Sequence, residues 1–209
     1  MTKRTILAGA VVAAVLAAGV AWKIGLFETV SDAGNCVDVV ALIGTNPARA
    51  AAVCLRQAKE VDAIAETDIG KMYAEGRGVA QDFAEAKRWF EKAAAQNQAD
   101  GQYNLGLMYA NGEGVRQDFA EAVKWYRLAA GRGQVDAQNS LGVRYKRGEG
   151  IGQDYVQAHK WFALSAANAT LPADRARATA NLDAVAKLMT PDQIVEAEKL
   201  TREWKPVGP

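Results

Sequence analysis

The residues best placed to do chemistry in this sequence are the two glycines that flank a glutamate at positions 112–114, shortly before Arg116. Glycine-rich turns of this kind can hold a phosphate group with backbone N–H groups, which would predict a nucleotide-binding loop. The stretch LGLMYANGEGVRQD around this turn returns 36 residues upstream as IGKMYAEGRGVAQD and 36 residues downstream as LGVRYKRGEGIGQD. A phosphate loop is normally one special site in a domain, so a turn that recurs in every unit indicates scaffolding.

Other reactive side chains lack the arrangements that catalysis needs. The only histidine, His159, takes a slot that Lys87 and Val123 hold in the other units, which predicts a surface position without a chemical role. None of the three serines begins the S-x-x-K sequence of serine β-lactamases, and no Cys–His or metal-ligand spacing is present. We therefore expect no catalysis, no metal and no cofactor.

Each unit predicts a helix, a glycine-bearing turn and a second helix. In the middle unit Leu105, Gly106 and Tyr109 share one helical face, because residues three and four apart stack on a helix. Gly112 suits a left-handed helix end, the second glycine relaxes the turn, and Asp118 predicts a cap for the next helix. Helices are expected near residues 64–75, 83–96, 100–111, 119–131, 136–147 and 155–168.

The repeated pattern LG-x-x-Y-x-x-G-x-G-V-x-x-D-x-x-x-A-x-x-W-[YF]-x-x-A-A resembles the Sel1-like repeat, a relative of the tetratricopeptide repeat. Three units, at about residues 64–99, 100–135 and 136–171, form the repeat region 61–168. The resemblance implies an all-α fold, a right-handed α-solenoid of helix-turn-helix repeats.

The same resemblance implies a scaffold for protein–protein interaction, often in bacterial envelopes, with an unidentified protein or peptide as partner. Two alternatives stay open: a module that recognises an envelope glycan or peptidoglycan fragment, and a β-lactamase-like hydrolase, since some family members have been given that name. The chain has 25 Lys and Arg against 24 Asp and Glu and no basic stripe, which argues against a nucleic-acid partner.

The segments on either side of the repeats are expected to cap the solenoid, because its end units need covering. Residues 34–60 read as a degenerate repeat whose second helix places apolar residues in inward slots: Ala50, Val53, Cys54 and Ala58 stand where Ala86, Trp89, Phe90 and Ala94 stand. Residues 172–205 predict two further helices. The last begins at Thr190-Pro191 and carries one apolar stripe of Ile194, Ala197, Leu200 and Trp204.

The two cysteines, Cys36 and Cys54, fall one on each helix of the degenerate repeat. They are either two small buried apolar residues or a disulfide between antiparallel helices. The export signal described next favours the disulfide. Because 17 residues separate the cysteines, such a bond would stabilise the fold by roughly 3 kcal/mol.

Residues 1–27 predict an export signal. Lys3 and Arg4 precede an uncharged run of 17 residues from Ile6 to Trp22, which Lys23 closes. An uncleaved signal anchor would make a transmembrane helix in the inner membrane and hold the repeats in the periplasm. Cleavage after about Ala21 is the alternative, and it would give a periplasmic or secreted protein.

The resemblance to tetratricopeptide-like stacks implies a concave groove lined by the first helix of each unit, and the binding surface is expected there, half a turn from the LG-x-x-Y face. Counting 100° per residue gives these candidate residues: Thr67, Lys71, Ala74, Glu75, Tyr103, Leu107, Ala110, Asn111, Asn139, Val143, Lys146 and Arg147, with Arg144 nearby. These positions differ between units while the packing positions repeat. Arg144, Lys146 and Arg147 are expected to converge and to meet a carboxylate or an acidic segment.

Overall fold

The computed structural model of the protein describes residues 63–208, and every regular element in that range is an α-helix. The helices are α1 (Ala63–Glu75), α2 (Phe83–Ala95), α3 (Ala99–Asn111), α4 (Phe119–Gly131), α5 (Val135–Arg147), α6 (Tyr155–Asn168), α7 (Pro172–Ala186) and α8 (Pro191–Glu203). The expected all-α repeat architecture is confirmed for this range. The apolar run, the degenerate repeat and both cysteines lie outside the described residues.

The helix ends form where the sequence predicts them. Asp118 caps α4, since its Oδ1 atom accepts hydrogen bonds from the backbone N–H groups of Ala120 and Glu121 at 2.9 and 3.0 Å. Asp82 caps α2 in the same way, and Asp154 caps α6 through the N–H group of Gln157. These carboxylates satisfy N–H groups that a helix leaves without partners in its first turn.

The turn inside each unit is built by its glycines. Gly112 ends α3 in the left-handed conformation, with φ at +75°, and its N–H donates to the Met108 carbonyl at 2.8 Å. The second glycine does more than relax the turn: a Cβ at Gly150 would overlap the backbone carbonyl of Phe119, at the start of the preceding unit's second helix. The turn of one unit therefore rests directly on the unit before it.

The core lies between the helices of each pair and between successive pairs. The pairs are α1–α2, α3–α4 and α5–α6, and the second helix of each packs on the first helix of the next. Phe90, Tyr126 and Phe162 occupy the centre of the three pairs, none more than 2% exposed. Gly142 lets α5 approach Phe162, because a Cβ there would lie 2.7 Å from the ring.

The C-terminal helices cover the end of the array at α6. Both α7 and α8 pack on α6, and α8 begins with a capping box in which Thr190 and Gln193 bond reciprocally. The expected apolar stripe of α8 is at least half-buried, with Ala197 fully buried. The chain after α8 then turns back, and the Val207 N–H donates to the Gly131 carbonyl at the end of α4. None of the helices described is long and apolar enough to cross a membrane.

Candidate interaction surface

The first helices of the units form one side of the array. α1 approaches α3 and α5 approaches α7, whereas among the described helices no two of α2, α4 and α6 come as near. Because the first helices approach their neighbours more closely than the second helices do, the side of the array formed by α1, α3 and α5 is the narrower one. We call this side the inner face.

The inner face holds only part of the predicted binding set. Lys71 is half-buried and Glu75 is exposed, as expected for an open face of α1. Thr67 is only 2% exposed, and its hydroxyl donates to the Ala63 carbonyl at 2.9 Å, so its expected place on an open surface is wrong. At the matched positions, Tyr103 lies beside α5 and Asn139 bonds to α7.

Tyr103 lies at the junction of α3 with its neighbours. Its ring centroid is 5.9 Å from that of Tyr126, with the planes tilted by 35°. Burial raises the pKa of the Tyr103 phenol, and the charge of Asp136 raises it further, while the Ser140 hydroxyl opposes both. The phenol is therefore a neutral hydrogen-bonding group on the inner face.

The two predicted asparagines are positioned by local contacts. Asn139 accepts a hydrogen bond from Asn181 of α7 at 2.9 Å, and Asn111 donates to Glu113 at 3.2 Å. Asn139 thus joins the last unit to α7, whereas Asn111 lies exposed at the end of α3.

The expected convergence of three cations fails at Arg144. The Arg144 side chain is 15% exposed, forms an ion pair with Glu149, and lies 4.8 Å from the Phe119 ring centroid. Arg147 is 61% exposed at 3.8 Å from the same glutamate, and Lys146 is half-buried. Arg144 therefore ties a turn to the preceding unit, because the Phe119 ring that it covers belongs to that unit.

Sequence counting missed four inner-face residues on α3 and α5: Asp100, Asn104, Asp136 and Ser140. Asp100 accepts from Gln134 at 3.1 Å, and Asp136 pairs with Arg177 of α7. These residues lie three or four positions N-terminal to predicted ones, so the same helical spacing could have found them. The positions chosen by counting therefore lie further round each helix, toward the neighbouring helix, than the positions that line the inner face.

His159, expected on the surface, is buried with 7% exposure. The expectation is wrong because α8 packs on α6 and places the charge of Glu198 close enough to act on the imidazole. Burial lowers the pKa of His159, and Glu198 opposes that effect. The Nδ1 atom has no hydrogen-bond partner within the part of the chain that the structure describes.

The burial of His159 predicts an acid-sensitive fold. The folded state disfavours the charged imidazole, whereas the unfolded chain takes up a proton at its usual pKa of about 6.5. The free energy of unfolding is therefore fully retained above that pKa and decreases as the pH falls below it. Replacing His159 by Gln should flatten the pH dependence of the free energy of unfolding between pH 7.5 and 5, by at most about 1.4 kcal/mol per pH unit. Urea unfolding of both proteins across this range measures the difference, and parallel curves would contradict the prediction.

No group of three or more His, Cys, Asp and Glu side chains within residues 63–208 is arranged to hold a metal ion. The polar groups of the inner face are amides, hydroxyls and charged side chains. They are suited to hydrogen bonding with a ligand.

The repeats match the model of the Sel1 repeat over residues 63–98, 99–134 and 135–169. This chain belongs to the Sel1 repeat family. Each Sel1 unit begins at or next to the start of a first helix, so the family's repeat coincides with the observed helical pair. No curated protein matches the chain.

The solved structures that share the architecture of this Sel1 repeat protein include two that are described in turn below. The protective antigen c5321 of uropathogenic Escherichia coli, which displays an SLR fold, is 33% identical, with a TM-score of 0.68. The match covers 74% of this chain and 32% of that one, so the chain spans about a third of its length. A Sel1 repeat protein from Oxalobacter formigenes is 28% identical, with a TM-score of 0.65, over 80% of this chain and 69% of that one.

Proposed function

We propose that this Sel1 repeat protein is a scaffold that holds a protein or peptide partner on the inner face. The observation that carries the proposal is the contrast between packing and open positions in the three units. The glycine at Gly70 recurs at Gly106 and Gly142, where an aromatic ring packs against it. The next position along α1, α3 and α5 is Lys, Leu and Val in turn. Leu107 and Val143 pack in part against the core clusters, and these partly open positions differ in chemistry between the units, as is typical of a recognition surface.

The centre of the inner face suits a peptide. Leu107 and Val143 are half-buried apolar side chains on α3 and α5. Beside them, Asn104 donates to the Asp100 carbonyl and Asn139 accepts from Asn181. Among the described residues this leaves Asn104 Oδ1 as an acceptor and Asn139 Nδ2 as a donor without partners. A peptide group offers one N–H and one C=O, the complement of that pair.

The same surface is less suited to a glycan or to hydrolysis. Asp100 and Asp136, the carboxylates at its centre, are engaged by Gln134 and Arg177. Tyr103 packs against Tyr126 and so offers little ring face for stacking on a sugar. These contacts favour a protein or peptide partner over the two alternatives.

The inner face can be tested by placing a photo-crosslinking amino acid at Leu107, with the matched control at Leu128. Leu128 lies on α4 and is 44% exposed on the outer side. The proposal expects a discrete crosslinked protein from position 107 in cells and none from position 128. Replacing both Asn104 and Asn139 by Ala should reduce the yield at position 107. Crosslinking from position 128 alone would place the binding surface on the second helices and overturn the proposal.

We also propose that residues 1–27 carry the repeats across the inner membrane, as an uncleaved anchor or as a signal peptide cut after about Ala21. The basic start and the uncharged run support this placement. Alkaline phosphatase fused after Gly208 should be active, and removal of residues 1–27 should abolish that activity. Cys36 and Cys54 of the exported protein should then resist thiol labelling until they are reduced. An active reporter without residues 1–27 would contradict the proposal.

A further inference from the structure

The loop that joins α4 to α5, residues 131–134, carries glycine at two positions, and we call it the α4–α5 junction. Gly131 and Gly133 flank Arg132 there, whereas the loop between α2 and α3 holds Ala95 and Asn97 at the matched positions. Gly133 has φ at +88°, a left-handed conformation that glycine adopts without strain. Because glycine restricts the backbone less than other residues do, contacts from outside this loop contribute more to holding it in one conformation.

Residues 204–207, which follow α8 and which we call the tail, supply such contacts. The Val207 N–H donates to the Gly131 carbonyl at 2.8 Å, and so satisfies a carbonyl that a helix leaves unpaired at its C-terminus. A Cβ added at Gly131 would meet Val207 at 3.6 Å, and one added at Gly133 would meet Trp204 at 4.0 Å. Within residues 63–208, no other part of the chain beyond their immediate neighbours comes as near to these two positions.

The tail is held loosely compared with the helices around it. The Trp204 ring packs at the edge of the core cluster between α4, α5 and α6, where it is half-buried. Val207 is 61% exposed, and a cavity of about 270 Å³ lies between its side chain and those of Gln96, Asn97 and Arg132. The helix that leads into the tail packs on α6 rather than on α7. The tail can therefore leave the junction while the helical pairs stay packed.

The α4–α5 junction also sets a contact on the inner face. Gln134 ends the junction, and its side-chain oxygen accepts a hydrogen bond from the Ala137 N–H in the first turn of α5. Its side-chain nitrogen donates to the Asp100 carboxylate at 3.1 Å. Because Gln134 joins the junction to Asp100, movement of the junction would release that carboxylate on the inner face.

We propose that the α4–α5 junction is a docking site for an extended segment and that the tail occupies it as a displaceable strap. The segment presents a large ring over Gly133 and, three residues later, a backbone N–H opposite the Gly131 carbonyl. Trp204 leaves α8 in an extended conformation, and Pro206 favours its continuation. Displacement of the tail frees the junction and the inner-face carboxylate tied to it. The inference concerns the chain's own tail and stands whether or not the inner face binds a peptide.

Hydrogen exchange of the full chain tests the strap. Val207→Pro removes the N–H that bonds to the Gly131 carbonyl, whereas the matched control Val207→Ala shortens the side chain and keeps that N–H. Exchange of residues 131–134 should accelerate about fivefold in Val207→Pro, the factor expected for one lost hydrogen bond. It should stay close to that of the unaltered protein in Val207→Ala, and exchange of α3 should stay unchanged in both. Exchange in Val207→Pro that matches the unaltered protein would overturn the strap.

A peptide supplied in trans separates docking from a merely structural role of the tail. Trp204→Ala in the full chain removes the ring over Gly133, so residues 131–134 should exchange faster than in the unaltered protein. A synthetic peptide of residues 201–208, added in excess, should restore the slower exchange, whereas the same peptide carrying Trp204→Ala should not. If neither peptide slows the exchange, the junction does not bind the segment by itself and the docking site is wrong.

Discussion

Replacing Phe162 by alanine is expected to lower the free energy of unfolding by about 3–5 kcal/mol. The ring is fully buried in α6 and packs with Ala158 and with Val185 of α7. On the side of the ring that faces α5, the neighbour is the backbone at Gly142, which has no side chain that could move into the space. The surroundings can therefore collapse only in part, and a cavity remains.

The loss should fall first on the end of the array. In a repeat protein stability is close to a sum of units and their nearest-neighbour interfaces, so α6 and α7 should lose protection before α3 and α4. Urea unfolding and hydrogen exchange measure the two effects. Leu128→Ala, which removes an exposed leucine, is the control and should change stability by less than about 0.5 kcal/mol. A Phe162→Ala protein as stable as this control would contradict the packing described.

Replacing Gly150 by alanine is the second substitution with a large expected effect. Gly150 has φ at +71°, where an L-residue costs roughly 1–2 kcal/mol. The added Cβ would also overlap the Phe119 carbonyl, which is backbone and cannot rotate away. Overpacking of this kind costs about 1–3 kcal/mol. We expect a total loss of about 2–5 kcal/mol, with the contact between the second and third units weakened.

Two neighbouring glycines separate these effects. Gly148 also has a positive φ, but a Cβ there would lie 3.3 Å from the Cβ atom of Gln153, a close contact without the overlap found at Gly150, so Gly148→Ala should show mainly the conformational cost. Gly152 has no atom within 4 Å and no positive φ, so Gly152→Ala should be neutral or stabilising by up to about 1 kcal/mol. Thermal or urea unfolding should rank the variants, from the most to the least stable, as Gly152→Ala, Gly148→Ala and Gly150→Ala. Equal stability of the variants at 150 and 152 would exclude a tight contact between units.

The helices were predictable because their signals are local. A cap such as Asp118 acts on N–H groups two and three residues away, and Gly112 ends α3 through its own φ. The 3.6-residue period then decides which side of each helix is apolar. All these interactions occur within one unit, so a single sequence repeated three times specifies them three times.

The inner face was only partly predictable. Counting around a helix separates a packed side from an open one, but the adjacent first helix closes part of the open side. Thr67 is buried, and Asn139 bonds to α7. Asn104 lies on the open side although it was not selected. The direction from which a neighbouring helix approaches depends on packing across units, which the period of one helix does not contain.

By itself the sequence determined the repeat, its helical pairs and their caps, because residues within one turn of each other carry that information. Only the tertiary structure decided the environment of residues that meet distant parts of the chain. His159 is buried because α8, some 35 residues further along, packs over its slot. Arg144 is withdrawn from solvent because Phe119 and Glu149 meet around it. The matched slots of the middle unit hold Val123 and Met108, which are also buried but are apolar, so equal positions in the repeat acquire different chemistry from the side chain that each holds and from the groups around it.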